Sequence, residues 1–133
     1  LTREESYSYN NWTQDFPWLK KQEVDWLGDT NLCFPGWILT IYNGINIIQN
    51  IINENPTLKV FITGVKEKYG EFRICVLYEM LKDSDKIAAE EIDKVINIIS
   101  EETKNTCFSC GKIMEKYLWD LPVCGGDNCG KKA

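Results

Sequence analysis

With 133 residues, 44% of them hydrophobic and 26% charged, the chain has the size and balance of one globular domain rather than a disordered or repetitive segment. Its net charge of −5 argues against a nucleic-acid coat or an anionic-membrane partner, both of which need clustered Lys and Arg. Histidine is absent, which removes Ser-His and Cys-His catalysis, histidine general-base chemistry and every His-ligated metal site.

Residues 1–36 read as an acidic arm, with 3 basic and 6 acidic groups. Tyr7, Tyr9, Trp12, Phe16, Trp18, Trp26, Phe34 and Trp37, half of all the aromatics, crowd into or border it. Asp15-Phe16-Pro17-Trp18 and Cys33-Phe34-Pro35-Gly36 read as turns, and a short helix is predicted near residues 19–27. The aromatics admit two readings. Turned inward they cover the core, the default for apolar area. Turned outward, Tyr7, Tyr9, Trp12 and Trp18 form a surface for a protein partner, since Trp and Tyr are enriched at interfaces. An acidic segment of this kind suits a basic partner, with charge steering the encounter. Base stacking would need a cationic groove, and only Lys20-Lys21 lies near.

The core is expected over residues 37–104. Trp37, Ile38, Ile41, Tyr42, Ile45, Ile48 and Ile52 recur at helical spacing, and Ile47 and Ile51 widen the stripe. Pro35-Gly36 and Asn55-Pro56 mark the ends of that helix. In residues 58–63, Leu58, Val60 and Ile62 alternate with Lys59, Phe61 and Thr63. Residues 72–80 alternate too, with Phe72, Ile74, Val76 and Tyr78 on one face. The charged, glycine-ended Lys66-Glu67-Lys68-Tyr69-Gly70 between them predicts the turn of an antiparallel hairpin. Asp83, Ser84 and Asp85 are alternative N-caps for a second helix to about Thr103. Its core face is predicted as Ile87, Ile92, Val95, Ile96 and Ile99, opposite Glu90, Glu91, Lys94 and Glu101. The fold class is α+β: a small antiparallel hairpin packed by two helices, with a zinc-stabilised C-terminal segment at residues 105–133.

That last element rests on Cys107-x2-Cys110 followed by Cys124-x4-Cys129. The first pair sits in Thr106-Cys107-Phe108-Ser109-Cys110-Gly111, the pattern of a knuckle whose tight turn aims two thiolates at one ion. The second pair completes a tetrahedral set, so structural Zn2+ is the expected cofactor. Four thiolates leave no open coordination position, and Cys107 follows a helix rather than opening one, which disfavours a redox dithiol. Cys33 and Cys75 stand apart and read as buried small hydrophobes. No Gly-rich phosphate loop or activated-nucleophile motif is present, and Glu90-Glu91 and Glu101-Glu102 read as the wet side of a helix. A non-enzymatic protein is expected. With no apolar run of about 20 residues and no basic-then-apolar leading segment, the expected location is the cytoplasm, where clustered cysteines signal metal rather than disulfides.

One longer pattern joins these parts. Gly36-Trp37 opens an Ile-rich helix, Gly64-Val65-Lys66-Glu67-Lys68-Tyr69-Gly70-Glu71-Phe72-Arg73-Ile74 follows, and a helix then leads into the cysteine knuckle. Over about residues 36–129 this resembles a group of small phage and bacterial proteins with a V-K-E-K-[FY]-G-x-[LF]-R core before a C-x-x-C-G knuckle. The resemblance implies an intracellular protein with a small metal-bound C-terminus, and it implies no activity. Glu71 stands where the group commonly has a second glycine, and Cys129 where it often has a final His after a shorter spacer. The aromatic arm lies outside the resemblance.

The functional expectation is a non-enzymatic binding protein that inhibits or neutralises a protein partner, as a toxin immunity protein or phage counter-defence factor does. The alternative is a zinc-containing, nucleic-acid-associated regulator, resting on Lys112, Lys116, Lys131 and Lys132 in the weakly basic tail.

Overall fold

The computed structural model describes residues 15–20, 22, 35–68, 70–107, 111 and 113. A one-turn helix α1 (Pro17–Lys20) precedes a 3-10 turn (Pro35–Trp37) that runs straight into α2 (Ile38–Glu54). Strands β1 (Lys59–Lys68) and β2 (Glu71–Glu79) and helix α3 (Asp83–Lys104) complete the order. The two long helices pack together and against one face of the hairpin, which is the expected α+β arrangement. No helix among the described residues is long and apolar enough to cross a membrane.

Helix α2 forms because its isoleucines fall three and four apart. Ile38, Ile41, Ile45 and Ile48 are all fully buried on one stripe. Gly44 lies on that stripe too, where α3 comes closest: a Cβ there would land on the Ile99 side chain. The helix ends at Asn55, whose backbone N–H donates to Ile52 O (3.1 Å) and whose side-chain amide donates to Ile51 O (2.8 Å). Pro56 cannot continue the ladder.

The hairpin is longer than the sequence pattern predicts. β1 continues through Gly64 to Lys68, so only two residues, 69 and 70, separate the strands and most of the charged stretch is strand. Gly70 has φ 81°, a conformation that favours glycine. A bulge between Ile62 and Gly64 explains the extension: Ile62 pairs with Val76, but Gly64 pairs with Cys75 and Val65 with Ile74. One extra residue shifts the side-chain phase, so Val65 rather than Gly64 follows Val60 and Ile62 onto the core face.

Helix α3 differs from expectation at both ends of its first turn. Its N-cap is Lys82, which has no acceptor, and Asp85 in the first turn supplies the missing function. The Asp85 carboxylate accepts the Leu81 and Lys82 N–H groups (2.9 and 3.1 Å) and the Thr57 hydroxyl (2.8 and 2.9 Å to its two oxygens). These donors, led by the Leu81 N–H, hold its pKa below the ordinary carboxylate range against the opposing effect of burial. Ile87, expected in the core, is 61% exposed. It lies roughly 140° around the helix from Ile92, and Ala88 and Ala89 take the inward positions instead. Ile96 is only half-buried, while Ile92, Val95 and Ile99 are buried as predicted.

The core also reaches into the arm. Phe16, Trp18 and Leu19 are buried with the residues of α2 and β1, so the N-terminal boundary of the core lies before residue 37. Of the short helix expected near residues 19–27, Leu19 and Lys20 belong to α1 and Gln22 is not helical, while residues 21 and 23–27 lie outside the described residues.

Candidate functional site

Of the four aromatics expected to meet a partner, Tyr7, Tyr9 and Trp12 lie outside the described residues. Trp18 is core. Its indole N–H donates to the Val60 carbonyl (2.8 Å), and its backbone N–H donates to Gln49 Oε1 (3.0 Å). An aromatic with a satisfied polar tip and 7% exposure is not a contact surface, so the partner-binding expectation for Trp18 is corrected. Beside it the Gln22 amide works like a peptide unit added to β1. It donates to Val60 O (3.4 Å) and accepts the Ile62 N–H (2.8 Å), which seals the outer edge of the strand there.

Gln49 and Gln22 were missed by sequence reasoning. Gln49 had a visible signal: it is polar, yet falls one turn after Ile45 on the buried stripe, and its Nε2 donates to Asn53 Oδ1 (2.8 Å). Gln22 had none, because its partners on β1, Val60 and Ile62, are about forty residues away.

Among the described residues, Leu39, Ile47, Ile87, Ile98 and Ile113 are exposed apolar side chains elsewhere, and a further exposed apolar group lies on the other side of the hairpin. Because strand side chains alternate, the odd-numbered residues of β2 face away from the helices. Phe61 stands directly across from Leu77, and the two are 43% and 64% exposed. Lys59 pairs with Glu79 on one side of them; Gly64 with Cys75, then Lys66 with Arg73, follow on the other. Cys75, expected to be a buried hydrophobe, is exposed by this same parity. Met80 and Leu81 continue the exposed apolar surface just past β2. Arg73 is anchored by an ion pair from its Nε to Glu71 Oε1 (2.6 Å), which leaves its terminal nitrogens to reach outward.

The second candidate is the start of the cysteine segment. Cys107 is fully buried just after α3. Its carbonyl accepts the Gly111 N–H (2.9 Å), Gly111 has φ 84°, and Thr106 bridges to Ile113 in antiparallel fashion. The hydrogen bond from Gly111 back to Cys107, with a positive φ at the glycine that follows the second cysteine, matches what a C-x-x-C-G metal knuckle requires at these two positions; residues 108–110 lie outside the described residues. The Trp37 indole donates to Thr106 O (2.8 Å) and fixes where this turn begins. Among the described residues no group of three or more His, Cys, Asp or Glu side chains is placed to hold a metal. Cys110, Cys124 and Cys129 lie outside them.

Two tyrosines complete the electrostatics. Burial, then the Asp15 carboxylate 2.8 Å from its hydroxyl, pushes the Tyr42 pKa up to about 12. Tyr78 is raised further, by burial and by Asp93 at 2.7 Å. Both phenols are therefore neutral donors that tie elements together rather than acids or bases for chemistry. Comparison of the chain with protein-family models, curated proteins and solved structures gives no match.

Proposed function

We propose that the protein is a non-enzymatic binding protein that inhibits or neutralises a protein partner, and that the outward face of the hairpin makes the contact. The observation that carries this reading is the Phe61–Leu77 cross-strand pair, exposed on a sheet face whose opposite side packs on both helices. An aromatic and an aliphatic side chain at the centre, with Lys59, Glu79, Lys66 and Arg73 around them, have the layout of an apolar interface core within a polar rim. The net charge of −5 biases long-range encounter toward a basic partner, while the rim, with Lys59, Lys66 and Arg73 against Glu79, calls for acidic groups on the patch that docks. A toxin immunity protein or a phage counter-defence factor is the biological form this takes. In the same reading, Zn2+ held by Cys107, Cys110, Cys124 and Cys129 fastens the C-terminal segment, supported by the spacing of the four cysteines and by the Gly111 N–H that returns to the Cys107 carbonyl.

The test is affinity capture from host extract, followed by titration of the purified partner against wild type and the Phe61→Ser/Leu77→Ser double variant. The double variant should bind at least about tenfold more weakly while melting as wild type does. Equal affinity of the two proteins would remove the sheet face from the interface.

A further inference from the structure

We infer that two copies of this chain pair through the outer edge of β2, forming a continuous four-stranded antiparallel sheet. This concerns the strand edge rather than the sheet face and stands apart from the partner reading above.

The two edges of the hairpin are treated differently. On β1 the Val60 carbonyl accepts the Trp18 indole and Gln22 amide, and the Ile62 N–H donates to Gln22 Oε1. On β2, among the described residues, only the first outward position is taken: the Phe72 N–H donates to Thr103 Oγ1 (2.9 Å), and Phe72 O accepts the Ser100 hydroxyl (2.9 Å). Main-chain groups of an antiparallel strand alternate in direction, so Ile74, Val76 and Tyr78 also point theirs outward. Among the described residues none of these three has a main-chain partner on that side. A cleft of about 340 Å³ opens there between β2 and α3, lined by Arg73, Ile74, Cys75, Ile96 and Asn97 among others. Exposed edges are usually guarded by lysine, proline or a bulge. β1 has the bulge, whereas residues 74–78 of β2 are Ile-Cys-Val-Leu-Tyr without a guard.

Charge and the sealed position select both the occupant and its register. Paired about a two-fold axis at Val76, each Arg73 faces the second copy's Glu79, and each Cys75 faces its Leu77. The main-chain bonds then run Ile74 to Tyr78 and Val76 to Val76, and pairing stops one residue short of Phe72. Shifting the axis to Cys75 would set Glu71 against Glu79. It would also demand Phe72 main-chain groups that Thr103 and Ser100 already hold. Opposite charges across strands stabilise and like charges do not. Because β1 is capped at Val60 and Ile62 and interrupted by the bulge beside them, β2 is the edge each chain offers, so assembly closes at two copies instead of growing into fibres.

Sedimentation equilibrium of the full chain should give twice the monomer mass, with no larger species, up to roughly 200 µM. Position is tested by Arg73→Cys with Glu79→Cys in a Cys75→Ser background. In the Val76-centred register these positions oppose each other at about 4.5 Å between Cα atoms, within disulfide reach. Mild oxidation should therefore link residue 73 of one copy to residue 79 of the other, read by mass spectrometry of the joined peptides. All three substituted positions are on the outer strand face, so folding of this variant is checked by its melting curve. Arg73→Glu alone should weaken dimerisation at least about tenfold, and adding Glu79→Arg should restore it. A chain that stays monomeric throughout that range, or a dimer whose links map elsewhere, overturns the inference. So does a monomer whose β2 edge instead takes up an unrelated extended peptide.

Discussion

Gly44 of α2 and Ile99 of α3 meet so closely that no side chain fits between them. Glycine inside a helix normally costs about 1 kcal/mol relative to alanine, so this position trades helix propensity for close approach. Gly44→Ala should therefore destabilise the fold by about 1–3 kcal/mol through overpacking, although alanine is the better helix former. Ile99→Ala alone should cost about 2–5 kcal/mol. The double variant should cost less than the sum of the two, because the space lost at one position is opened at the other. Urea titrations of the four proteins measure this, and strict additivity would show that the helices do not meet there.

Trp18 is a structural residue, and its substitutions should register in stability. Trp18→Ala should cost about 3–5 kcal/mol by emptying the space between α2 and β1. Trp18→Phe keeps much of the apolar volume but leaves Val60 O without its 2.8 Å donor, and should cost about 1–3 kcal/mol. Denaturant midpoints decide between these values and the near-zero change of an exposed aromatic.

Asp85 ties stability to acid. Its folded pKa lies below the ordinary carboxylate value, so its contribution is complete above that value and is lost as pH falls through the folded one. Wild type should lose stability as pH drops below about 4. Asp85→Asn should be less stable at neutral pH and should lose less on acidification over that window. The measurement is the urea midpoint against pH for both proteins. Parallel curves would show that Asp85 is not the group responsible.

For the cysteine segment, the purified protein should carry about one zinc per chain by elemental analysis, since four-thiolate sites bind with large apparent free energies. Cys107→Ser should release the metal, and Cys75→Ser should not, because Cys75 sits exposed on the strand face. Metal-free protein with Cys107 in a disulfide would contradict the zinc reading.

Much of the fold was legible because it follows one-dimensional periods. The isoleucines of α2 announce their buried stripe, and the alternation of β2 announces its inward face. Legibility failed where the period changed or was carried by a neutral residue. The apolar spacing stretches from two to three between Ile62 and Val65, the mark of the bulge, but Gly64 in the gap reads as the end of a strand. In α3, Ala88 and Ala89 hold inward positions that a search for large apolar side chains gives to Ile87. The site was half legible. Phe61 and Leu77 sit off the phase of their own strands, which places them outward, and the same parity exposes Cys75. For Trp18 the inward reading was open from its apolar area, but which groups it would meet was not, since Gln49 and Val60 lie 31 and 42 residues away along the chain.

The Trp37–Thr106 hydrogen bond joins points 69 residues apart, so the chain enters and leaves the helix–hairpin–helix unit at one corner. Tension applied between residues 35 and 107 would load that corner first, opening it one bond at a time. The hairpin ladder, set apart from this line of pull, would carry little of the force. The hydrogen bond alone contributes only about 1 kcal/mol net, but the Trp37 ring behind it is fully buried and stands edge-on to Phe72. Mechanically, then, the described unit should resist until Trp37 is drawn from the core, with the helix pair and hairpin giving way after it.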